Sequence, residues 1–219
     1  MAYKNLIVIG TSHIAKESLK EVKDAIEIEK PAIIALELDR RRFFALLQKE
    51  KRGVSISDIG RIGFKGYLFA LLGAWAEKKL GAIVGVQPGS EMVAAIRLAK
   101  KNNIRVALID QDIEVTLRKF SKSLSWKEKW NFVKDIFKGF FMRRKLEFDL
   151  NKVPSKEIIR KLTDEVKKNY PNVYRVLVTE RNEVMAANLK KIMLEDPKAK
   201  IVAIVGAGHE EEIIGLIKA

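Results

Sequence analysis

Ile201-Val202-Ala203-Ile204-Val205 runs directly into Gly206-Ala207-Gly208-His209, and a helical pattern from Glu210 to Ile217 follows. Five consecutive apolar residues, mostly β-branched, read as a strand covered on both faces, which is the pattern of a parallel sheet. Three more stretches repeat the theme: Leu6 to Ile9, closed by Gly10; Ala32 to Leu36; and Val106 to Ile109. Helical spacing separates them. It runs from Lys16 to Glu29 and stops before Pro31, because proline disfavours helix in the residue preceding it. Further helices are predicted over Arg40 to Lys51, Pro88 to Lys101, Asp112 to Phe120, Lys127 to Lys145, Lys156 to Lys168 and Val173 to Glu195.

Strands alternating with helices predict an α/β fold: a mainly parallel central sheet flanked by helices, with right-handed crossovers. Gly53 to Gly85 is rich in glycine and reads as a helical excursion from the sheet. The helix-only region between the third and last strands, roughly residues 112–195, reads as a helical insertion or lobe. It is expected within a single domain spanning 1–219.

In such sheets ligands bind beyond the carboxyl ends of the strands. Here those ends carry Gly10-Thr11-Ser12-His13, Glu37-Leu38-Asp39, Asp110-Gln111-Asp112 and Gly206-Ala207-Gly208-His209. The chain has only two histidines, and both sit in Gly-x-x-His directly after an apolar strand. One reading is local: each imidazole caps the next helix. The other is chemical: His13 and His209 are metal ligands or acid–base groups, roles that imidazole fills near neutral pH. Glu37 follows five apolar residues and is expected at the same rim, as a ligand or general base. Arg40, Arg41 and Arg42 read most simply as a solvated helix face.

Arg181, inside Glu180-Arg181-Asn182, lies between Leu177 and Met185 at four-residue spacing. An arginine on an apolar stripe requires a partner, so burial against a carboxylate is expected, with Glu37 the first candidate. Other chemistries are excluded. Gly206-Ala207-Gly208 lacks the rest of a dinucleotide fingerprint, and there is no GxxxxGK[ST] or GxSxG. The absence of cysteine removes disulfides, thiolate metal sites and cysteine nucleophiles.

GTSHIAKES, ALELDRRR, GVQPGSEMVAAI, LIDQDIEVTLRKF, TERNEVMAANL and VGAGHEEEIIGLI occur in the order of the TraB/PrgY family, and the chain resembles an archaeal-type member over essentially its whole length. That family is similar to Tiki proteases, GumN proteins and the erythromycin esterase/ChaN-like fold. The resemblance implies a rim site in which His13 and His209 match the paired motif histidines. Glu37 matches the glutamate after the second strand, and Arg181 matches the arginine of the ERN-like triplet. Tiki relatives behave as metal-dependent proteases, and bacterial members limit peptide pheromone activity. Two departures stand out. Many relatives carry Asp-Arg-Asp where this chain has Asp110-Gln111-Asp112. Many archaeal relatives also continue into a hydrophobic C-terminal membrane region, which this sequence does not contain.

The net charge of +14 points to an anionic partner or to solubility. Half of it, +7, lies between Lys119 and Lys145, where Trp126, Trp130, Val133, Phe137 and Phe140 or Phe141 recur at helical spacing. Such a stretch can pack on the core, lie on an anionic membrane surface, or meet a partner or a second copy of the chain. Nucleic acid fits less well, because the aromatics are segregated from the basic groups. The longest apolar stretch, Tyr67 to Ala76, is well short of the ~20 residues of a membrane span. The N-terminus reads as a strand and turn, not a signal peptide, so a cytoplasmic or membrane-associated protein is expected.

The sequence therefore points to a metal-assisted hydrolase acting on a peptide or small molecule. A divalent ion (Mn, Co, Zn or Fe) would be held by His13, His209 and Glu37. Glu37 or Glu180 would handle protons, and Arg181 would stabilise the oxyanion. The alternative is a binding protein that sequesters a ligand in the same cleft without turnover.

Overall fold

A computed structural model describes residues 1–12, 16–47, 59–64, 66–68, 70, 71, 89–128, 130, 131, 134 and 155–219. Its strands are β1 (Ala2–Tyr3), β2 (Leu6–Thr11), β3 (Ile33–Leu36), β4 (Arg105–Leu108) and β5 (Ile201–Gly206). They form one sheet in the order β1-β2-β5-β3-β4. Every pairing is parallel except that of β1 with β2. The expected mainly parallel α/β sheet is thus present, with a short antiparallel edge added.

β5 is central, and all six of its residues are buried. Side chains alternate across a strand. Ile201, Ala203 and Val205 join a core with Leu6, Val8, Met185, Leu189, Ile213 and Ile217. Val202 and Ile204 join a second core on the opposite face with Val22, Ile26, Met92 and Ala95. One face is therefore covered by α1 (Lys16–Glu29) and α3 (Ser90–Lys101), the other by the two C-terminal helices α7 (Glu180–Glu195) and α8 (Glu210–Lys218). Burial on both faces explains why the strands read as unbroken apolar runs.

The other helices are α2 (Arg40–Leu47), α4 (Ile113–Ser123), α5 (Lys156–Asn169) and the single turn α6 (Pro171–Tyr174). Between α6 and α7 the helix widens into a π turn, Arg175–Thr179, in which the Glu180 N–H reaches the Arg175 carbonyl. The sequence reading of one uninterrupted helix from Val173 to Glu195 missed this insertion. Residues 112–195 include α7, whose Met185 and Leu189 pack directly on the sheet.

The basic stretch is also divided. Lys119 and Lys122 belong to α4, which ends at Ser123, and a new helical turn begins after Ser125. Ser125 and Glu128 form a reciprocal capping box: the Glu128 N–H donates to Ser125 Oγ at 3.2 Å, and the Ser125 N–H donates to Glu128 Oε2 at 2.9 Å. Within Gly53 to Gly85, residues 59–64 are helical. Among the described residues no helix is long and apolar enough to cross a membrane.

Candidate functional site

The register of the sheet brings the strand ends together. Thr11 is paired with Gly206, and Leu36 with Ile204. The Glu37 N–H continues the ladder to the Ile204 carbonyl at 3.1 Å, so the Glu37 side chain starts beside the turn that follows β5. The Ala207 N–H donates to the Thr11 carbonyl at 2.8 Å, tying the turn after β5 to the end of β2. Gly10 makes this approach feasible: a Cβ there would meet Glu210 Oε2 at 2.8 Å and the Ala207 backbone at 3.0 Å.

Glu37 is 4% exposed. Its Oε2 accepts from the Gly206 N–H at 2.5 Å, and its Oε1 accepts from Arg181 Nη2. The same guanidinium donates through Nε and Nη2 to Asp110, at 3.1 and 2.5 Å, and through Nη1 to the Leu177 carbonyl at 3.2 Å. Arg181 is thus largely covered, its side chain 15% exposed, pairs with Glu37, and has a second carboxylate that the sequence reading did not assign. Burial works against its charge, but the hydrogen bonds and charges of Asp110 and Glu37 outweigh it and hold its pKa above the ordinary arginine value.

Asp110 passes the network on. It accepts from Arg42, which also donates through Nε to Asp39 Oδ2 at 2.7 Å. Asp39 in turn caps α2, its Oδ1 accepting from the Arg41 and Arg42 N–H groups at 2.8 and 3.0 Å. Despite its burial, these contacts with Arg42 and Arg41 keep the Asp39 carboxyl below its usual pKa. Arg42 therefore belongs to the buried network. Arg41 fits the expected outer face, 53% exposed and paired with Glu114 and Asp112.

His209 stands on the other side of Glu37, with Nε2 3.5 Å from Glu37 Oε1. Its Nδ1 is 2.6 Å from Asn182 Oδ1. Asn182 is fully buried and donates through Nδ2 to Glu212 Oε2 at 2.9 Å, which also accepts from the Tyr174 hydroxyl at 3.1 Å. Burial, with the neighbouring charge of Glu212 and this hydrogen bond, pushes the Tyr174 phenol up to about 12, so it acts as a donor.

Glu37, Arg181 and His209 are thus brought together. Glu180 turns the other way, to Lys119 Nζ at 2.7 Å and Arg175 Nε at 3.9 Å. His13, Phe137 and Phe140 lie outside the described residues. Trp126 and Trp130 are 78% and 63% exposed. Asp39, Arg42, Asn182, Glu212 and Tyr174 were not read as site residues. A signal existed for Asp39, which directly precedes a helical pattern. None existed for Glu212, whose partner lies 30 positions away.

Three carboxylates (Glu37, Asp39, Asp110) meet two guanidiniums (Arg42, Arg181), leaving one negative charge over before His209 is counted. The imidazole and carboxylate beside one another are donors of the kind that suit a first-row divalent ion. Among the described residues, no group of three or more His, Asp or Glu is arranged to hold a metal.

A family model described as the TraB/PrgY/gumN family matches residues 3–219. An uncharacterised protein of Methanocaldococcus jannaschii is 37% identical over 98% of this chain and 53% of its own length. TraB domain-containing proteins of Mus musculus and Homo sapiens are 24% and 23% identical over 92% of this chain, and 60% of their own length is covered in each case. The chain spans a little over half the length of these curated relatives.

Proposed function

The chain belongs to the TraB/PrgY/gumN family, and from that premise we propose that it is a metal-dependent hydrolase acting on peptides at the rim where Glu37, Arg181 and His209 meet. One observation carries the reading: His209 Nε2 and Glu37 Oε1 face each other at 3.5 Å in a cluster with surplus negative charge. At 3.5 Å the two atoms are too far apart for a good hydrogen bond, and the surplus negative charge favours a cation between them. A proton on Nε2 or a divalent ion meets that need. Mn, Co, Zn and Fe all accept this donor set. His209 and Glu37 would hold the ion, with His13 as the third ligand that the family resemblance implies. A bound ion lowers the pKa of water and polarises a carbonyl.

The remaining roles follow from the chain's own side chains. Arg181 fixes the Glu37 carboxylate through Nη2. With Nε, Nη2 and one Nη1–H engaged by Asp110, Glu37 and Leu177, its second Nη1–H is the donor that would meet negative charge developing on a substrate oxygen. With His209 committed to the ion, proton handling falls to Glu37 whenever that carboxylate is not itself a ligand. Glu180 is a weaker candidate, because its carboxylate is engaged by Lys119 and Arg175. A cleft of about 570 Å³ is lined by Gly10, Gly208, Tyr174 and Glu212 among others, neighbours of Glu37, Arg181 and His209 but none of the three themselves, and is large enough for part of a peptide. The same cleft supports the second reading, a protein that holds a peptide or small ligand without cleaving it.

The test joins metal analysis to turnover. Chelator-stripped protein is titrated with Mn, Co, Zn and Fe(II) by calorimetry, then assayed on a mixed peptide pool. Binding of one ion and peptide cleavage, both lost in His209→Ala and Glu37→Gln, supports the hydrolase. Ligand retention with no cleavage under any metal overturns it in favour of the binding protein.

A further inference from the structure

We propose that Asn182, Glu212 and Tyr174 are positioning residues that hold His209 in the tautomer with its proton on Nδ1, so that Nε2 is the nitrogen presented to Glu37. The argument begins at Glu212. A carboxylate oxygen accepts and does not donate. Glu212 Oε2 takes the Tyr174 hydroxyl at 3.1 Å and an Asn182 side-chain atom at 2.9 Å, so that atom is the amide nitrogen. The amide oxygen of Asn182 is then the atom facing His209 Nδ1 at 2.6 Å. An oxygen acceptor at that distance requires a hydrogen on Nδ1. The Nε2–H form is the one favoured by a histidine side chain in water, so the relay selects the minor tautomer. The π turn (Arg175–Thr179) lies between Tyr174 and Asn182 and brings both side chains to Glu212.

This inference rests on His209 belonging to the proposed site, but its readout needs no turnover and no metal. The full chain is labelled with ¹⁵N, and long-range ¹H–¹⁵N spectra are recorded at a pH high enough to deprotonate both imidazoles. His13→Gln assigns the two rings, since the chain has only two histidines. Wild-type His209 is expected as Nδ1–H. Asn182→Leu should invert the majority tautomer to Nε2–H. Should that variant not fold, Glu212→Gln, at the half-buried start of α8, should give a mixture, because a glutamine amide can present either end to Asn182. Combining Glu212→Gln with Asn182→Asp restores a donor facing an acceptor along the relay and should return His209 to Nδ1–H. A merely structural role for these side chains would not be rescued by this exchange. Nε2–H in the wild type, or an unchanged tautomer in folded Asn182→Leu, overturns the proposal and leaves the hydrolase reading to its own assay.

Discussion

Two carboxylates are buried in this molecule to nearly the same extent, and their surroundings could hardly differ more. Glu128 is 1% exposed and Glu37 is 4% exposed. Glu128 is surrounded by neutral donors: the Ser125 N–H and hydroxyl, the Asn172 N–H and side-chain amide, and the Val173 N–H. It sits at the N-termini of two helical segments, its own and α6, where backbone N–H groups and the helix dipole both favour an anion. Glu37 has one backbone N–H and otherwise a guanidinium and an imidazole. Local dipoles satisfy the first, whereas the second depends on side chains from separate elements, Arg181 on α7 and His209 after β5. Burial alone does not distinguish a structural carboxylate from a chemical one; the charge of its partners does.

The sharpest way to break this contrast is to remove the charge from the rim. Arg181→Met takes the guanidinium from Glu37 and Asp110 and leaves two buried carboxylates facing each other. Breaking a buried pair in this way costs about 3–5 kcal/mol. Urea denaturation should show a loss of that size. Arg181→Lys should recover only a part, because an ammonium cannot span both carboxylates with fixed, planar donors. If Arg181→Met unfolds at the wild-type midpoint, the rim carboxylates do not depend on charge and the contrast with Glu128 disappears.

A smaller effect is expected at Glu128, and it has a pH signature. Its neutral donors outweigh its burial and hold the carboxyl down to about 2, against a usual 4.5. A depressed folded-state pKa contributes stability that is fully present above the unfolded value and is lost as pH falls through the folded one. Glu128→Gln should cost about 1–2 kcal/mol near neutrality, the range of a strong helix cap. The gap between variant and wild type should hold down to about pH 4.5 and close as the pH approaches about 2. A gap that stays constant across that window would mean that Glu128 acts through shape, not charge.

The same contrast explains what the sequence revealed. The strands, the rim and the turn after β5 were legible because burial on both faces and a strand-ending glycine are local patterns. Arg181 was legible because an arginine on an apolar helical stripe is a local anomaly. Its second partner, Asp110, lies 71 positions away, and sheet order, not periodicity, brings it there. Arg42 looked like part of a solvated run because its neighbours Arg40 and Arg41 are exposed. Its contacts with Asp39 and Asp110 turn it inward. The Ser125-x-x-Glu128 capping box was readable and fixes where the helix expected from Lys127 begins. The π turn before Glu180 leaves no such trace, since it is an insertion in hydrogen-bond register with no residue type of its own.

The smallest effect on stability is expected where the molecule presents aromatic groups to solvent. Trp126 and Trp130 lie one turn apart beside Glu128, with exposed Lys127 and Lys134 nearby. They sharpen the comparison from outside: the anion within the turn is structural, so any function of this turn rests on its exposed face. Replacing both tryptophans with serine should change stability by no more than about 0.5 kcal/mol, as for surface sites away from caps and cores. If the face meets an anionic membrane, the wild type should bind phosphatidylserine vesicles. Each nearby lysine contributes about 1 kcal/mol, and binding should fall steeply with salt as that attraction is screened. The double variant should bind more weakly at every salt concentration, because the interfacial anchor is lost while the charge is kept. Sedimentation without lipid tests the competing partner: a concentration-dependent dimer that the double variant abolishes would assign the face to a second copy of the chain. A loss of several kcal/mol in the double variant would instead mean that the tryptophans are covered in solution, and the face would no longer be a candidate for either partner.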